Sequence, residues 1–223
     1  MLVMANDWLS KWKGKLNTDD DCVRFVDDLG FCTIDPAERF PEFPNQADAM
    51  GIESAIGRTW WWKDDLHIQK KLYYTRLFFN RPGYISMEML PAFIATNGQV
   101  ADELILMGRM PLAQQAIYET LEAQGPISSR ELRNLLVGDV KKQSASALIA
   151  LERVFIATKV DITGRTMHTY SYVWDLAERW ILWAFEEADR LGVKRAKQMI
   201  LEKLRRGGVS DGPRIMAAAC GWQ

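Results

Sequence analysis

The chain has 223 residues, 48% of them apolar and 26% charged, the balance of an ordinary globular protein and not of a disordered or fibrous one. Its 28 Lys and Arg against 29 Asp and Glu leave a formal net charge of -1, which argues against strong non-specific attraction to nucleic acid. No run nears the roughly 18 uninterrupted apolar residues of a membrane span, and Cys22, Cys32 and Cys220 form an odd, widely spread set with no CxxC pair, so neither a zinc site nor a disulfide framework is expected and a reducing cytoplasm is.

Met1 to Ala5 is too short for the apolar core of a secretion signal. Trp8, Leu9 and Trp12 then repeat at helical spacing within Met4 to Lys15. Asn17 to Asp21 supplies capping and acidic residues for a helix whose apolar face is Cys22, Phe25, Val26 and Leu29, and Gly30 ends it. Phe31 to Ile34 reads as a short strand closed by Asp35-Pro36, and the prolines from Ala37 to Asn45 read as a loop. Trp60, Trp61 and Trp62 are adjacent and cannot all face one core, so at least one belongs on a surface, where it knits two units together or stacks on an unpaired base. Leu66 to Phe79 is expected to be helical, with Ile68, Leu72 and Phe79 inward, broken by Asn80 to Gly83. Ser86 then caps a helix from Met87 to Ala95.

Ala113, Ala116, Ile117 and Leu121 mark the next helix, which Gly125-Pro126 stops. Ser128 three residues before Glu131 is a capping box, opening a helix that buries Leu132, Leu135 and Leu136. After Gly138-Asp139, a third helix puts Ala145, Leu148, Leu151 and Phe155 on one face and Lys142, Gln143, Ser146 and Arg153 on the other. A hairpin follows, from Phe155 to Val160, through Thr163-Gly164, to His168 to Trp174, where Tyr170, Tyr172 and Trp174 alternate. Helix, capped helix, basic helix and hairpin are the order of a winged helix-turn-helix. Lys and Arg neutralise phosphates and Gln can read a base edge, so Lys142, Gln143, Ser146 and Arg153 on the third helix, with Arg165 and Lys159 on the wing, are the candidate contacts to double-stranded DNA. A solvated face or a protein-interaction module is the alternative.

Pro82-Gly83-Tyr84-Ile85-Ser86 and Pro126-Ile127-Ser128 each precede an apolar helix, which suggests tandem winged helix-turn-helix units in a mainly α chain with short β-hairpins, an α+β class. The expected division is 1–111 with the tryptophans, 112–175 as the winged helix-turn-helix, and a basic helical 176–223. Asp175 to Leu191 is an apolar helix, Lys194 to Arg206 a basic one ended by Gly207-Gly208, and Ser210 to Cys220 a last short one with Pro213 in its first turn. Charge is uneven, with ten acidic and five basic residues over 1–50 and seven basic and two acidic over 191–223. There is no GxxxxGK, GxGxxG, HExxH or GxSxG, and His67 and His168 are far apart in sequence, so no metal or cofactor is expected.

The run Leu29-Gly30-Phe31-Cys32-Thr33-Ile34-Asp35-Pro36, then Trp62-Lys63, Tyr73-Tyr74 and Ala147-Leu148 with Leu151, resembles the AlkZ/YcaQ-like winged-helix DNA glycosylases, and most closely their AlkZ-related branch of unassigned function. The resemblance implies tandem winged helices, a double-stranded DNA partner, intact or damaged, and excision of alkylated or crosslinked bases. The family's signature is Gln-x-Gln or Gln-x-Asp on a strand after the first helix, and here the matching place reads Thr33-Ile34-Asp35. Cleaving an N-glycosidic bond builds positive charge on the sugar, which a carboxylate stabilises while a second polar group holds the attacking water. The resemblance thus implies Asp35 as the electrostatic residue and Thr33 as the water-orienting one, with Glu38 or Arg39 able to compensate for the missing glutamine. The competing reading is that Asp35-Pro36 merely ends a strand.

Overall fold

A computed structural model describes residues 12, 15–35, 37, 41 and 60–222. Most of the Met4 to Lys15 segment and of the proline-rich loop, including Glu38 and Arg39, lies outside the described residues. Among the described residues the protein is mainly helical with two small antiparallel sheets, an α+β arrangement. The chain divides into two compact units, one from the residues up to Thr96 together with those from Leu191 onward, the other Asn97–Arg190. No helix among the described residues is long and apolar enough to cross a membrane.

In the first unit, α1 (Asp19–Leu29) starts where Thr18 accepts from the Asp21 amide and Asp21 accepts back from the Thr18 amide. Cys22, Phe25, Val26 and Leu29 are buried, as their spacing requires. Gly30 closes the helix at φ 88, a left-handed conformation that suits glycine. The chain then enters β1 (Phe31–Thr33), which pairs antiparallel with β3 (Gly83–Ser86), and β3 with β2 (Leu72–Thr75). Phe31, Phe78 and Phe93 meet edge-on or tilted in the core, with centroids 4.9 to 5.6 Å apart.

The expected helix over Leu66 to Phe79 does not form as one element. Helix α2 (Trp62–Ile68) ends early, Lys70 takes φ 56, and Leu-Tyr-Tyr-Thr becomes β2 with all four residues buried. Aromatic and β-branched side chains favour a pleated surface, and sheet pairing overrides the helical spacing. His67 secures the reversal, its Nδ1 accepting from the Tyr74 amide at 3.0 Å. Ser86 terminates β3, and its hydroxyl accepts from Met89 N at 3.3 Å ahead of α3 (Leu90–Asn97), so that helix starts later than its capping residue implied.

The second unit begins with α4 (Ala101–Leu106) and α5 (Leu112–Gln124). Short strand β4 (Ile127–Ser128) leads through the Ser128 capping box into α6 (Ser129–Leu135), a turn, and α7 (Gly138–Arg153). Strands β5 (Ala157–Ile162) and β6 (Tyr172–Leu176) form a hairpin, and β4 joins β6 to give the antiparallel order β4-β6-β5. Ile117, Leu121, Leu132, Leu148, Leu151 and Trp174 form the core beneath. Two expectations shift here. Leu135 is exposed while Leu132 and Leu136 are buried, because α6 stops at Leu135. On α7 the inward face is Ser144, Ala147, Leu148, Leu151 and Glu152, and Ala145 is exposed.

Strand β6 continues to Leu176 before α8 (Ala177–Trp180), so the apolar helix expected from Asp175 starts late. Helix α9 (Leu182–Arg206) is interrupted at Gly192, with φ 69 and ψ 155, and α10 (Gly212–Cys220) follows with Pro213 in its first turn. Beyond Gly192 the apolar stripe Ala196, Ile200 and Leu204 is fully buried.

Candidate nucleic-acid interface

Helix α7 presents two chemically different faces. Ala147, Leu148 and Leu151 pack into the core, while Lys142, Gln143 and Ser146 lie exposed in its N-terminal half. Ser146 lies three residues beyond Gln143 and four beyond Lys142, the steps that make it a neighbour of both on the helix surface. Lys142 is not a lone cation, since its ammonium sits 2.8 Å from Asp139, also exposed. In water such a pair is weak, roughly 0.2–1 kcal/mol, so a phosphate can compete for the lysine. Ser146 donates its hydroxyl to the Gln143 carbonyl at 2.9 Å. The N-cap position, Val137, supplies no side-chain hydrogen bond, so the first amides of α7 are uncapped by side chains there.

Arg153, at the other end of α7, is half-buried, with its Nε enclosed and without a hydrogen-bond partner. It is not brought together with the N-terminal trio. Arg165 is exposed in the loop between β5 and β6. That loop is held in shape from within. Thr163 N donates to Ser171 O at 2.9 Å, Tyr170 N to Thr166 O at 2.8 Å, and Thr163 Oγ1 to the Thr169 carbonyl. Arg130 of α6 donates to the His168 carbonyl at 2.9 Å, tying the loop to the helix before α7.

Lys159 is placed differently from the other candidates. It is 5% exposed, its ammonium 2.5 Å from Glu152 Oε1 and 5.0 Å over the rings of both Tyr172 and Trp174. Glu152 is fully buried. Lysine and glutamate together tie the C-terminal end of α7 to the hairpin. The spacing of seven residues across a helix end and a turn gives no sequence signal for this pair, because the intervening Phe155 adopts φ 57. A second structural cation is Arg179, which donates to Asp175 at 2.7 Å and to the carbonyls of Leu121, Glu122 and Gly125, capping the end of α5.

In the first unit, Thr33 is fully buried, and its hydroxyl donates to the Pro41 carbonyl at 3.4 Å. Asp35 lies exposed just beyond β1. Thr33 N and Ile34 N are bound by the carbonyls of Pro41 and Pro82, so the backbone leading to Asp35 is fixed. The three tryptophans divide as their adjacency demands: Trp62 is buried, Trp61 is half-buried, and Trp60 is 56% exposed. Among the described residues no group of three or more His, Cys, Asp or Glu side chains is placed to hold a metal ion.

The model of the AlkZ-related family matches residues 16–217, nearly the whole chain. The chain belongs to that family. No curated protein and no solved structure matches it significantly. For this AlkZ-related chain the family suggests a relationship to DNA-repair glycosylases, and the match takes in both Thr33-Ile34-Asp35 and the α6–α7 segment.

Proposed function

We propose that Asn97–Arg190 is a winged helix-turn-helix that binds double-stranded DNA. Helix α7 enters the major groove by its N-terminal half, and the β5–β6 hairpin meets the neighbouring backbone. The observation that carries this reading is the division of α7, with Lys142, Gln143 and Ser146 exposed on one face and Ala147, Leu148 and Leu151 buried on the other. Element order and the strand order β4-β6-β5 support it, as does the family's relationship to DNA-repair enzymes. In this reading Lys142 and Arg165 neutralise phosphates, Gln143 and Ser146 approach base edges, and Arg153 contributes from the far end of the helix.

The test is duplex binding measured at several salt concentrations. Lys142→Ala and Arg165→Ala are each expected to reduce the salt slope by about one, and Gln143→Ala to change sequence preference at unchanged slope. Absence of binding even at low salt sinks the reading and leaves a protein-interaction module.

A second reading is favoured by the exposed carboxylate of Asp35 on a fixed backbone. In it the chain is an active glycosylase for alkylated or crosslinked bases, with Asp35 stabilising the charge that develops on the sugar. A water-orienting role for Thr33 requires its hydroxyl to leave the Pro41 carbonyl. Alkali-labile sites at an alkylated purine, abolished by Asp35→Asn with binding intact, are the expected result. Their absence in the unmodified protein refutes catalysis.

A further inference from the structure

We propose that Lys63 and Asp64 form an amine–carboxylate couple that acts on the aldehyde of abasic sites in DNA, giving the chain a lyase activity. The inference rests on the duplex-binding reading and on a feature of α2 that neither that reading nor Asp35 uses. Consecutive residues on a helix point about 100° apart and do not ordinarily meet. Here the Lys63 ammonium nevertheless reaches Asp64 Oδ2 at 2.6 Å. Both groups are withdrawn from water, Lys63 to 9% exposure and Asp64 to 2%. Desolvating two charges is costly.

The surroundings are those of a covalent site. The amine lies 4.9 Å over the ring of Trp60 and 6.0 Å over that of Tyr74. Trp60 is more than half in solvent, so the surface beside the buried amine is a flat aromatic face, the platform on which an unstacked base or sugar rests. Burial pulls the amine below the usual lysine range, and the hydrogen bond and charge of Asp64, with the charge of Asp65, partly restore it. Desolvation is how lysine becomes a nucleophile toward carbonyl carbon.

The steps balance without oxidant or metal. The ammonium passes a proton to Asp64, and the free Nζ adds to C1′ of the ring-opened abasic sugar, forming the N–C bond as the carbonyl π pair moves to oxygen and the nitrogen's surplus proton passes to that oxygen. Loss of that oxygen as water leaves an iminium ion. A carboxylate, Asp64 after it has returned its proton to the departing water, then removes a proton from C2′. The electron pair forms the C2′–C3′ double bond and the 3′ phosphate departs. Hydrolysis of the iminium restores Lys63 and frees the unsaturated aldehyde.

The test uses the full chain and a duplex carrying one abasic site, made by excising uracil, in the presence of borohydride. Borohydride reduces the imine to a stable amine, and a denaturing gel reads the adduct. Anisotropy on the same duplex reads binding. The expected result is a one-to-one adduct, reduced at least about 100-fold in Lys63→Arg, which keeps the charge but not the nucleophile, with binding unchanged. Asp64→Asn is expected to suppress strand cleavage more than adduct formation. Because either variant can perturb α2, peptide mapping of the adduct on unmodified protein supplies the independent reading, and the modified residue must be Lys63. Binding without an adduct, or an adduct mapped elsewhere, overturns the lyase while leaving the DNA reading intact. No binding at all overturns both.

Discussion

Lys159→Met separates the two roles a cation on the hairpin can have. Methionine keeps most of the aliphatic stem that packs against Tyr172 and Trp174 but removes the charge facing Glu152. Glu152 is fully buried, its Oε2 already has no hydrogen-bond partner, and the substitution takes from Oε1 the ammonium that it holds. Breaking a buried pair from one side costs about 3–5 kcal/mol, since the remaining charge is left uncompensated. That is a large part of the roughly 5–15 kcal/mol that holds a domain folded. With a urea dependence of about 1–3 kcal/mol/M, the unfolding midpoint should fall by about 1–5 M. Adding Glu152→Leu removes the orphaned carboxylate and should recover much of the loss, which a double-mutant cycle measures. DNA binding supplies the complementary readout: if Lys159 is structural, the salt slope of folded Lys159→Met matches that of the unmodified protein. A loss below about 1 kcal/mol, or a slope reduced by about one, refutes the assignment and returns Lys159 to the phosphate contacts.

Two further predictions concern how α6 and α5 are held. Ser128→Ala removes the hydroxyl that accepts from Glu131 N at 3.2 Å and donates to Glu131 Oε2 at 2.6 Å, a loss of about 0.5–2 kcal/mol at neutral pH by urea unfolding. The Ser128 hydroxyl, and after it the Ser128 amide, donate to the Glu131 carboxylate and hold it below its ordinary 4.5, so the hydroxyl's contribution is present above that pH and is lost as pH falls through the lowered value. The gap between Ser128→Ala and the unmodified protein should therefore narrow in acid, and a gap independent of pH refutes the linkage. Gly125→Ala would place its Cβ 2.5 Å from Asp175 Oδ1 and 2.6 Å from the Leu121 carbonyl, disturbing the Arg179 cap. A loss of about 1–3 kcal/mol is expected, and unfolding indistinguishable from the unmodified protein contradicts it.

Local chemistry was legible in the sequence wherever one short stretch carried all of the instruction. The Ser128–Glu131 box, the capping run Asn17 to Asp21, the stop at Gly30 and the apolar stripe of α1 are each set by residues within about two turns of one another. The tryptophans were legible as a conflict, because three adjacent indoles cannot share one core, and Trp60 is the one left outside. Tertiary structure decided what depends on partners distant in sequence. Leu72 to Thr75 has helical spacing but lies in a sheet, since β3 supplies the backbone partners that a strand needs and no local rule encodes. Lys159 and Lys63 look like surface lysines in sequence, and only the packing of Glu152, Tyr172 and Trp174 around one, and of Asp64, Trp60 and Tyr74 around the other, takes them out of water. Sequence fixes which charges exist. Burial, which belongs to the whole fold, sets the dielectric in which each one acts.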